Sequence, residues 1–356
     1  MSSMAILGWD IGGAHLKWAV CDTAGQLLRV GQRACPLWQG LNRLEQALDQ
    51  VMAELAADDG TAPEDVLHVA TMSGELVDAF SDRTTGVQAI VRCAEAQVAG
   101  RWRWFGVDGR LVEGAQAFDH PQQLASANWL ASATLAARYC DGLLIDMGST
   151  TTDIIALREG RPRVFGHTDG TRLDSGELVY RGLVRTPVMA LAAEVPWQAG
   201  SRPLAAELFA TTADVMRICG ELDESVDVYP PCDGAEKTRA GSMRRLARMI
   251  GEDAASVSAK DLNSLARYCA DLLIGVVATA AQRVAEAAQL PAAAPVVCAG
   301  IGHAFIRRVA SRLGRPAISL GDLVAAGQSA GLTCHAPAAA LALLAARGTL
   351  QDNPPA

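Results

Sequence analysis

Lysine is nearly missing from this chain. Among its 356 residues only Lys17, Lys237 and Lys260 carry an ammonium group, and arginine supplies the rest of the 31 basic side chains. With 39 acidic residues the net charge is −8, which excludes an extended basic surface for nucleic acid or for an anionic membrane. The nine cysteines include no Cys-x-x-Cys pair and no histidine spacing of a zinc site, so they are expected as small buried residues in a reducing compartment. The longest apolar runs, Leu272 to Ala281 and Pro337 to Ala346, are too short to span a bilayer. Met1 to Asp10 shows no basic region followed by a long apolar run, and a cytoplasmic location without a membrane partner is the expectation. The chain is long enough for two domains with proper cores, and 50% of its residues are apolar.

What is present is a repeated word. Asp10-Ile11-Gly12-Gly13-Ala14-His15-Leu16-Lys17 and Asp146-Met147-Gly148-Ser149-Thr150-Thr151-Thr152-Asp153 match Asp on Asp and Gly on Gly, with a charged residue seven positions after the first Asp. Each follows an apolar segment, Met4 to Trp9 or Leu143 to Ile145, and each leads into another, Trp18 to Val20 or Ile154 to Leu157. The pattern predicts one hairpin used twice. Glycine lets a backbone turn tightly and approach a ligand, N–H groups and hydroxyls can hydrogen-bond anionic oxygens, and a carboxylate at a strand end can hold a hydrated divalent cation. Two such hairpins facing each other would grip a polyphosphate from both sides. Lys17 alternates with Leu16 and Trp18, a pattern that also fits a solvent-facing edge position, and Asp153 also fits a residue bonding its own turn.

Further along, strand and helix alternate, which predicts an α/β fold. A strand is expected over Gln26 to Arg33, and a helix over Leu41 to Ala57, where Leu41, Leu44, Leu48, Val51 and Leu55 line one face. Asp58 to Pro63 breaks the chain before a strand from Val66 to Thr71. Helices are expected at Gly86 to Val98, Ser126 to Tyr139, Phe209 to Leu222, Ser242 to Ile250 and Lys260 to Gln289, with strands at Arg101 to Phe105 and Leu111 to Glu113. The polar run from Thr168 to Gly182 is expected to be a substrate-facing segment. Pro295 to Ile306 reads as an apolar strand, a Gly300-Ile301-Gly302 turn and a helix, a turn against which a flat nucleotide-like ligand could lie.

The three motifs in this order resemble the superfamily of acetate and sugar kinases, Hsp70 and actin. That resemblance implies a two-lobed, actin-like (ribonuclease H-like) α/β fold, with duplicated domains and a central cleft. On it, residues 1–135 form a lobe with the first phosphate hairpin, 136–330 a lobe with the second hairpin and the glycine turn, and 331–356 a C-terminal helix and tail. A closer resemblance lies in Thr71 to Leu76, Ser126 to Ala131, Asp146 to Ile155, Gly176 to Pro187 and Phe209 to Val215. These words are similar to the hydantoinase/oxoprolinase-related proteins of the tetrahydromethanopterin-linked one-carbon pathway, over roughly residues 5 to 330. Where that family has Ala before an Asp-Gly pair, this chain has Pro231-Cys232-Asp233-Gly234.

The resemblance implies a transferase of methanofuran or methylofuran biosynthesis, which joins an aminomethyl-furan-methyl diphosphate to the phenol of a tyramine derivative and releases diphosphate. It implies catalytic roles for Asp10, Lys17, Asp146 and Asp153, with Mg²⁺ on Asp10 and Asp146. Phosphate contacts then fall to Gly12, Gly13, Gly148, Ser149, Thr150 and Thr151, and substrate contacts to Ser73, Glu75, Asn128, Glu177 and Arg181. Asp153 or Glu177 is the expected base for a phenol whose free pKa is ~10, and Arg181 and Arg185 are candidates for an acidic group of the acceptor. Gly300 and Gly302 form the nucleotide-like turn. Two alternatives stay open: an ATP-dependent kinase or amidohydrolase using the same cradle, and a nucleotide-dependent scaffold of the actin or chaperone type. The expected partners are small diphosphate and phenolic molecules, and the sequence is compatible with a homo-oligomer.

Overall fold

The computed structural model describes residues 6–59, 66–325 and 327–351. They fall into two compact units, one drawn from Met1–Gly142, Leu157–Asp169 and Ile318–Ala356, the other from Leu143–Ala156 and Gly170–Ala317. The expected break at 58–63 lies largely outside the described residues.

The first unit opens with β1 (Ile6–Ile11), β2 (His15–Cys21) and β3 (Leu27–Ala34), followed by helix α1 (Asn42–Asp59) and β4 (Leu67–Met72). Next come α2 (Arg83–Gln97), β5 (Arg101–Phe105), β6 (Leu111–Val112), α3 (Gly114–Asp119) and α4 (Asn128–Ala137). The six strands form one sheet in the order β3-β2-β1-β4-β5-β6. β1 runs antiparallel to β2 and parallel to β4. All six residues of β1 are buried, as expected of a strand covered on both faces. Helix α2 starts three residues before the expected Gly86, because the Asp82 carboxylate accepts a hydrogen bond from the Thr85 N–H at 2.8 Å and caps it.

Half the tryptophans of this unit stack in its core. Trp9, Trp102 and Trp104 are buried, and His68 lies 4.6 Å from Trp102, ring centroid to ring centroid. The Trp9 indole donates to His68 Nδ1 at 3.1 Å, while His68 Nε2 lies 3.2 Å from the Ala99 carbonyl. A neutral ring protonated at Nε2 satisfies both contacts. Burial pushes the imidazole pKa down to about 4, against a smaller upward pull from the Ala99 carbonyl. A depressed histidine contributes stability that is present above its ordinary pKa and is lost as pH falls through the folded value. His68 is therefore expected to show no NMR titration between about pH 7 and pH 5, a window in which exposed imidazoles protonate. A midpoint above pH 6 would contradict this packing.

The second sheet, most of which lies in the second unit, opens with β7 (Gly142–Met147), β8 (Thr152–Arg158) and β9 (Arg161–Arg163), the last belonging to the first unit. The polar run expected to face substrate forms helix α5 (Asp169–Ser175) and strand β10 (Leu178–Val179). Then follow the hairpin β11 (Glu194–Trp197) and β12 (Gly200–Pro203), α6 (Thr212–Cys219), α7 (Arg239–Met249), α8 (Ala259–Ala287), β13 (Val296–Ala299), α9 (His303–Arg312) and β14 (Ala317–Ser319). The sheet order is β10-β8-β7-β13-β14, with β9 beside β8. This repeats β3-β2-β1-β4-β5 position for position, so the duplication seen in two short words extends to whole sheets.

Among the described residues, α8 is the one helix long and apolar enough to cross a membrane. Its Leu265, Cys269, Leu273, Val277, Ala281 and Val284 are instead buried in the second unit's core, which explains the apolar composition. The chain ends with α10 (Leu320–Val324), α11 (Ser329–Cys334) and α12 (Ala336–Ala346). Within the expected C-terminal helix and tail, 331–356, helix α12 packs on β1 in the first unit, so closely that a Cβ at Gly8 would lie 2.0 Å from the Ala338 carbonyl oxygen.

Candidate functional site

The two repeated words fold into the same turn. In the first, the Gly12 N–H donates to the His15 carbonyl at 2.9 Å, and in the second the Gly148 N–H donates to the Thr151 carbonyl at 2.9 Å. Each closes a hairpin whose first strand ends near a buried Asp, Asp10 at 4% and Asp146 at 8% exposure. The units differ in what surrounds that frame. The turn of the second carries Ser149, Thr150 and Thr151, all partly exposed, where the first has Gly13, Ala14 and His15. Hydroxyl donors thus lie in one hairpin and the cationic side chain in the other.

In the first unit Lys17 faces Asp10 across β1 and β2, with Nζ 3.6 Å from Oδ2. β2 lies between β1 and β3, so Lys17 is an interior residue and not an edge position. Thr71 sits opposite Asp10 on β4, which puts Lys17, Asp10 and Thr71 in one row across three strands. Thr71 is 1% exposed, and nothing in the sequence singled it out, because the row exists only through strand register. Gly12 and Gly13 are also packing positions: a Cβ on Gly13 would meet Val77 at 2.7 Å.

The segment after β4 docks on this turn through Ser73 and Gly74, whose N–H groups donate to the Ile11 carbonyl at 3.0 and 3.1 Å. Glu75, two residues on from Ser73, is 1% exposed. Its Oε1 accepts from the Ser126 hydroxyl at 2.7 Å, and its Oε2 is buried with no hydrogen-bond partner among the described residues. Ser126 is held at φ 51°, a left-handed conformation that costs a non-glycine residue energy. Asn128, at the start of α4, is half-buried. Burial raises the Glu75 pKa, partly offset by the Ser126 hydrogen bond, and the Arg83 guanidinium lowers it while Asp169 raises it. A carboxyl that holds its proton more tightly when folded stabilises at low pH, and that contribution is lost as pH rises through the raised pKa. Glu75→Gln is therefore expected to stabilise by ~1–3 kcal/mol at about pH 8 and by clearly less at about pH 5. Equal urea midpoint shifts at both pH values would contradict a buried, proton-holding carboxyl.

In the second unit, the chain after β10 wraps the turn. Leu183, Val184 and Arg185 donate their N–H groups to the Gly148 and Ser149 carbonyls at 2.8 to 3.2 Å. Gly182 lies so close that a Cβ there would be 2.5 Å from the Ser149 carbonyl and the Thr150 nitrogen. The Thr152 hydroxyl donates to the Arg181 carbonyl at 2.7 Å. On the other side, Gly300 at φ +77° and Gly302 press on the end of β7. A Cβ at Gly300 would be 2.4 Å from Asp146 Oδ1, and one at Gly302 would be 2.5 Å from Met147 Cγ. The glycine turn expected to face a nucleotide is thus required by the fit over Asp146 and Met147.

The residues expected as a base are engaged. Asp153 Oδ1 accepts from Arg172 Nη2 at 2.9 Å, and Arg172 is 2% exposed. Glu177 is fully buried, and its Oε2 accepts from the Ser175 hydroxyl at 2.7 Å. Both contacts tie into the α5–β10 segment. Arg181 donates to the Tyr180 and Ala190 carbonyls at 2.9 and 2.6 Å, and Arg185 stacks over Tyr229 at 5.8 Å. In the divergent loop, the Gly234 N–H donates to the Pro231 carbonyl at 2.9 Å, and Asp233 binds Arg245 at 3.1 Å, so Pro231 to Gly234 is a turn anchored on α7.

The hydantoinase/oxoprolinase family model matches residues 67–344. This chain belongs to the hydantoinase/oxoprolinase family. Within that family's reach, it is 28% identical over 85% of its length, and 87% of the relative's, to the (4-{4-[2-(gamma-L-glutamylamino)ethyl]phenoxymethyl}furan-2-yl)methanamine synthase of Methanocaldococcus jannaschii. The protein of the same name from Methanococcus vannielii is 28% identical over 48% of this chain and 75% of its own. Among solved structures, a nucleotide-free acetone carboxylase aligns with a TM-score of 0.55 at 10% identity, covering 96% of this chain and 70% of that one. At that identity the likeness speaks to fold alone, and it agrees with the duplicated, actin-like α/β fold of this family member.

The donor set suits a hard cation. In the second unit Asp146 and the Ser149 to Thr151 hydroxyls offer oxygen only, and Mg²⁺ typically takes one or two carboxylates, keeping water and substrate oxygens as its other ligands. Among the described residues no group of three or more His, Cys, Asp or Glu side chains gathers in a way that could hold a metal ion.

Proposed function

We propose that this family member is the transferase that forms the aryl furan-methyl ether of a methanofuran-type cofactor. In this reading the phenolic oxygen of a tyramine derivative bonds to the furan-methyl carbon, and the carbon–oxygen bond to diphosphate breaks with its electron pair leaving on the diphosphate. The phenolic proton passes to the departing diphosphate, since Asp153 and Glu177 are held by Arg172 and Ser175. The observation that carries the reading is the repeated turn, Gly12 to His15 and Gly148 to Thr151, each beside a buried Asp, in a chain that aligns with the synthases over most of its length.

The residues divide the work. The N–H groups and hydroxyls of Ser149 to Thr151 bind diphosphate oxygens, in a turn pre-set by the Gly148 N–H to Thr151 bond and by the carbonyl contacts to Leu183 through Arg185. Asp146 would hold Mg²⁺, with Asp10 the corresponding carboxylate of the first unit, and the ion would supply charge neutralisation for a leaving diphosphate. Lys17, kept in place by Asp10, supplies a further positive charge to the same reaction. Positive charge that develops on the furan-methyl carbon is shared by the ring oxygen, so the protein has chiefly to stabilise the anion. The location is cytoplasmic in this reading, where such small-molecule cofactors are assembled.

Incubating the protein with Mg²⁺, the aminomethyl-furan-methyl diphosphate and a tyramine-type phenol is expected to yield one diphosphate per ether by mass spectrometry. A parallel incubation with ATP is expected to give no ADP dependent on the phenol. Phenol-dependent ADP without ether would replace this reading with a kinase.

A further inference from the structure

In the first unit the row of Lys17, Asp10 and Thr71 lies under a helix. Side chains of a strand alternate between its two faces, so Asp10 shares a face with Gly8, and a Cβ on Gly8 would meet the Ala338 carbonyl oxygen and the Ala342 nitrogen of α12. Helix α12 packs on β1, β2 and β4, the strands that carry the row. Its direction follows from its far end. A Cβ on Gly25, in the turn between β2 and β3, would lie 3.5 Å from Arg347 Nε, and that turn is at the Ile6 end of β1, because Cys21 pairs with Ile6. The N-terminus of α12 therefore points to the Asp10 end.

The lengths agree. From Gly8 to Asp10 the strand advances about 7 Å, and from the middle of the Ala338–Ala342 turn back to Ala336 the helix covers about 6 Å, so the first turn of α12 is level with the row. Among the described residues the N–H groups of Ala336 and Ala338 have no backbone acceptor, and such a helix end carries partial positive charge. Below it the Thr71 hydroxyl is buried with no hydrogen-bond partner among the described residues, a costly state for a polar group. His335, the residue before α12, adds no charge at neutral pH. Its Nδ1 donates to the Gly331 carbonyl at 2.9 Å, and burial pushes its pKa down to about 4, against an upward pull from that carbonyl and with a further downward push from Lys17.

We propose that the N-terminus of α12 and the row beneath it bind a phosphate group that carries one proton. Lys17, the Thr71 hydroxyl and the α12 N–H groups donate to its oxygens, and Asp10 accepts its proton. Asp10 decides the class of anion. An ionised carboxylate can only accept, so sulfate, which has no hydrogen to offer, would meet it charge to charge, whereas a P–OH group makes that contact a hydrogen bond. Inorganic phosphate, a phosphate monoester and the terminal phosphoryl group of a diphosphate share this chemistry. The last of these rests on the ether-forming reading above; the other two do not.

The test titrates the full chain by calorimetry with inorganic phosphate and with sulfate, at about pH 6, where phosphate groups still hold a proton, and with a chelator present to remove divalent cations. Phosphate is expected to bind at least ~10-fold more tightly than sulfate, the worth of one charge-assisted contact. Asp10→Asn, whose amide can donate, is expected to erase that preference. Thr71→Val is expected to weaken phosphate binding by ~10-fold and Thr71→Ser to restore it. Without any anion, Thr71→Val should leave the urea midpoint unchanged or raise it, since the hydroxyl it removes has no partner to lose; a lower midpoint would make the hydroxyl structural and overturn its assignment to a ligand. Equal binding of the two anions, binding of neither, or wild-type phosphate affinity in Thr71→Val would overturn the site as a whole. Inorganic diphosphate then reads the source: inhibition of ether formation that Thr71→Val relieves assigns the site to the diphosphate, and Thr71-dependent binding of phosphate alone assigns it to free phosphate or a monoester. Thr71-dependent binding in a protein that forms no ether would keep the site and refute the reaction, so the two readings fail separately.

Discussion

Replacing Asp214 with alanine is expected to cost the second unit about 3–5 kcal/mol, the range for removing one partner of a buried ion pair. Asp214 is 2% exposed, and its Oδ1 accepts from the Ser242 hydroxyl at 2.7 Å and from Arg245 Nε at 2.8 Å. Its Oδ2 accepts the Thr211 N–H at 3.0 Å, closing the capping box of α6. Arg245 is fully buried, and Arg217 lies 3.8 Å away at 4% side-chain exposure. Truncation would remove the buried carboxylate shared by Arg245 and Arg217, leaving Arg245 only the partly exposed Asp233 as an ion-pair partner, and would open half of the capping box as well. Asp214→Asn retains one acceptor oxygen, enough for either the Ser242 contact or the Thr211 N–H, and should lose less than alanine. Trp197 is the one tryptophan in this unit, so bulk fluorescence would report mainly on the other unit. Hydrogen exchange across α6 and α7 is the suitable readout, and protection loss below ~1 kcal/mol would contradict the network.

Asp146→Ala is expected to behave in the opposite manner, lowering kcat/KM at least ~10³-fold through lost charge neutralisation on the leaving group while leaving exchange protection of β7 and β8 close to wild type. Asp153→Ala separates the two kinds of aspartate. It strips the buried Arg172 of its 2.9 Å partner, so protection around α5 and β10 should fall together with activity. If Asp146→Ala turned over at the wild-type rate, that carboxylate would leave the mechanism. If it unfolded β7, its role would be structural and the repeated Asp a folding device.

The duplicated turns were legible because their signal is local. Asp-x-Gly between two apolar strands constrains backbone and side chain within eight residues, and the structure returns the same glycine N–H contact in both. The helices were legible for the same reason, with ends displaced where a cap such as Asp82 begins the helix early. What the sequence hid is non-local. Arg172 meets Asp153 only because β10 pairs with β8 in the register Leu178 to Asp153, and Thr71 joins Asp10 only across a parallel pair. Gly300 and Gly302 read as ligand-facing until Asp146 and Met147 are seen filling the space a side chain would need. The packing of α12 on Gly8 joins residues 8 and 338, a distance over which no periodicity speaks.

The account turns on which bond breaks, and oxygen labelling reads that directly. With ¹⁸O in the phenolic hydroxyl, the label is predicted to appear in the ether product and to be absent from the released diphosphate. Label recovered in a phenyl phosphate, or an unlabelled ether, would contradict attack of the phenol on the furan-methyl carbon.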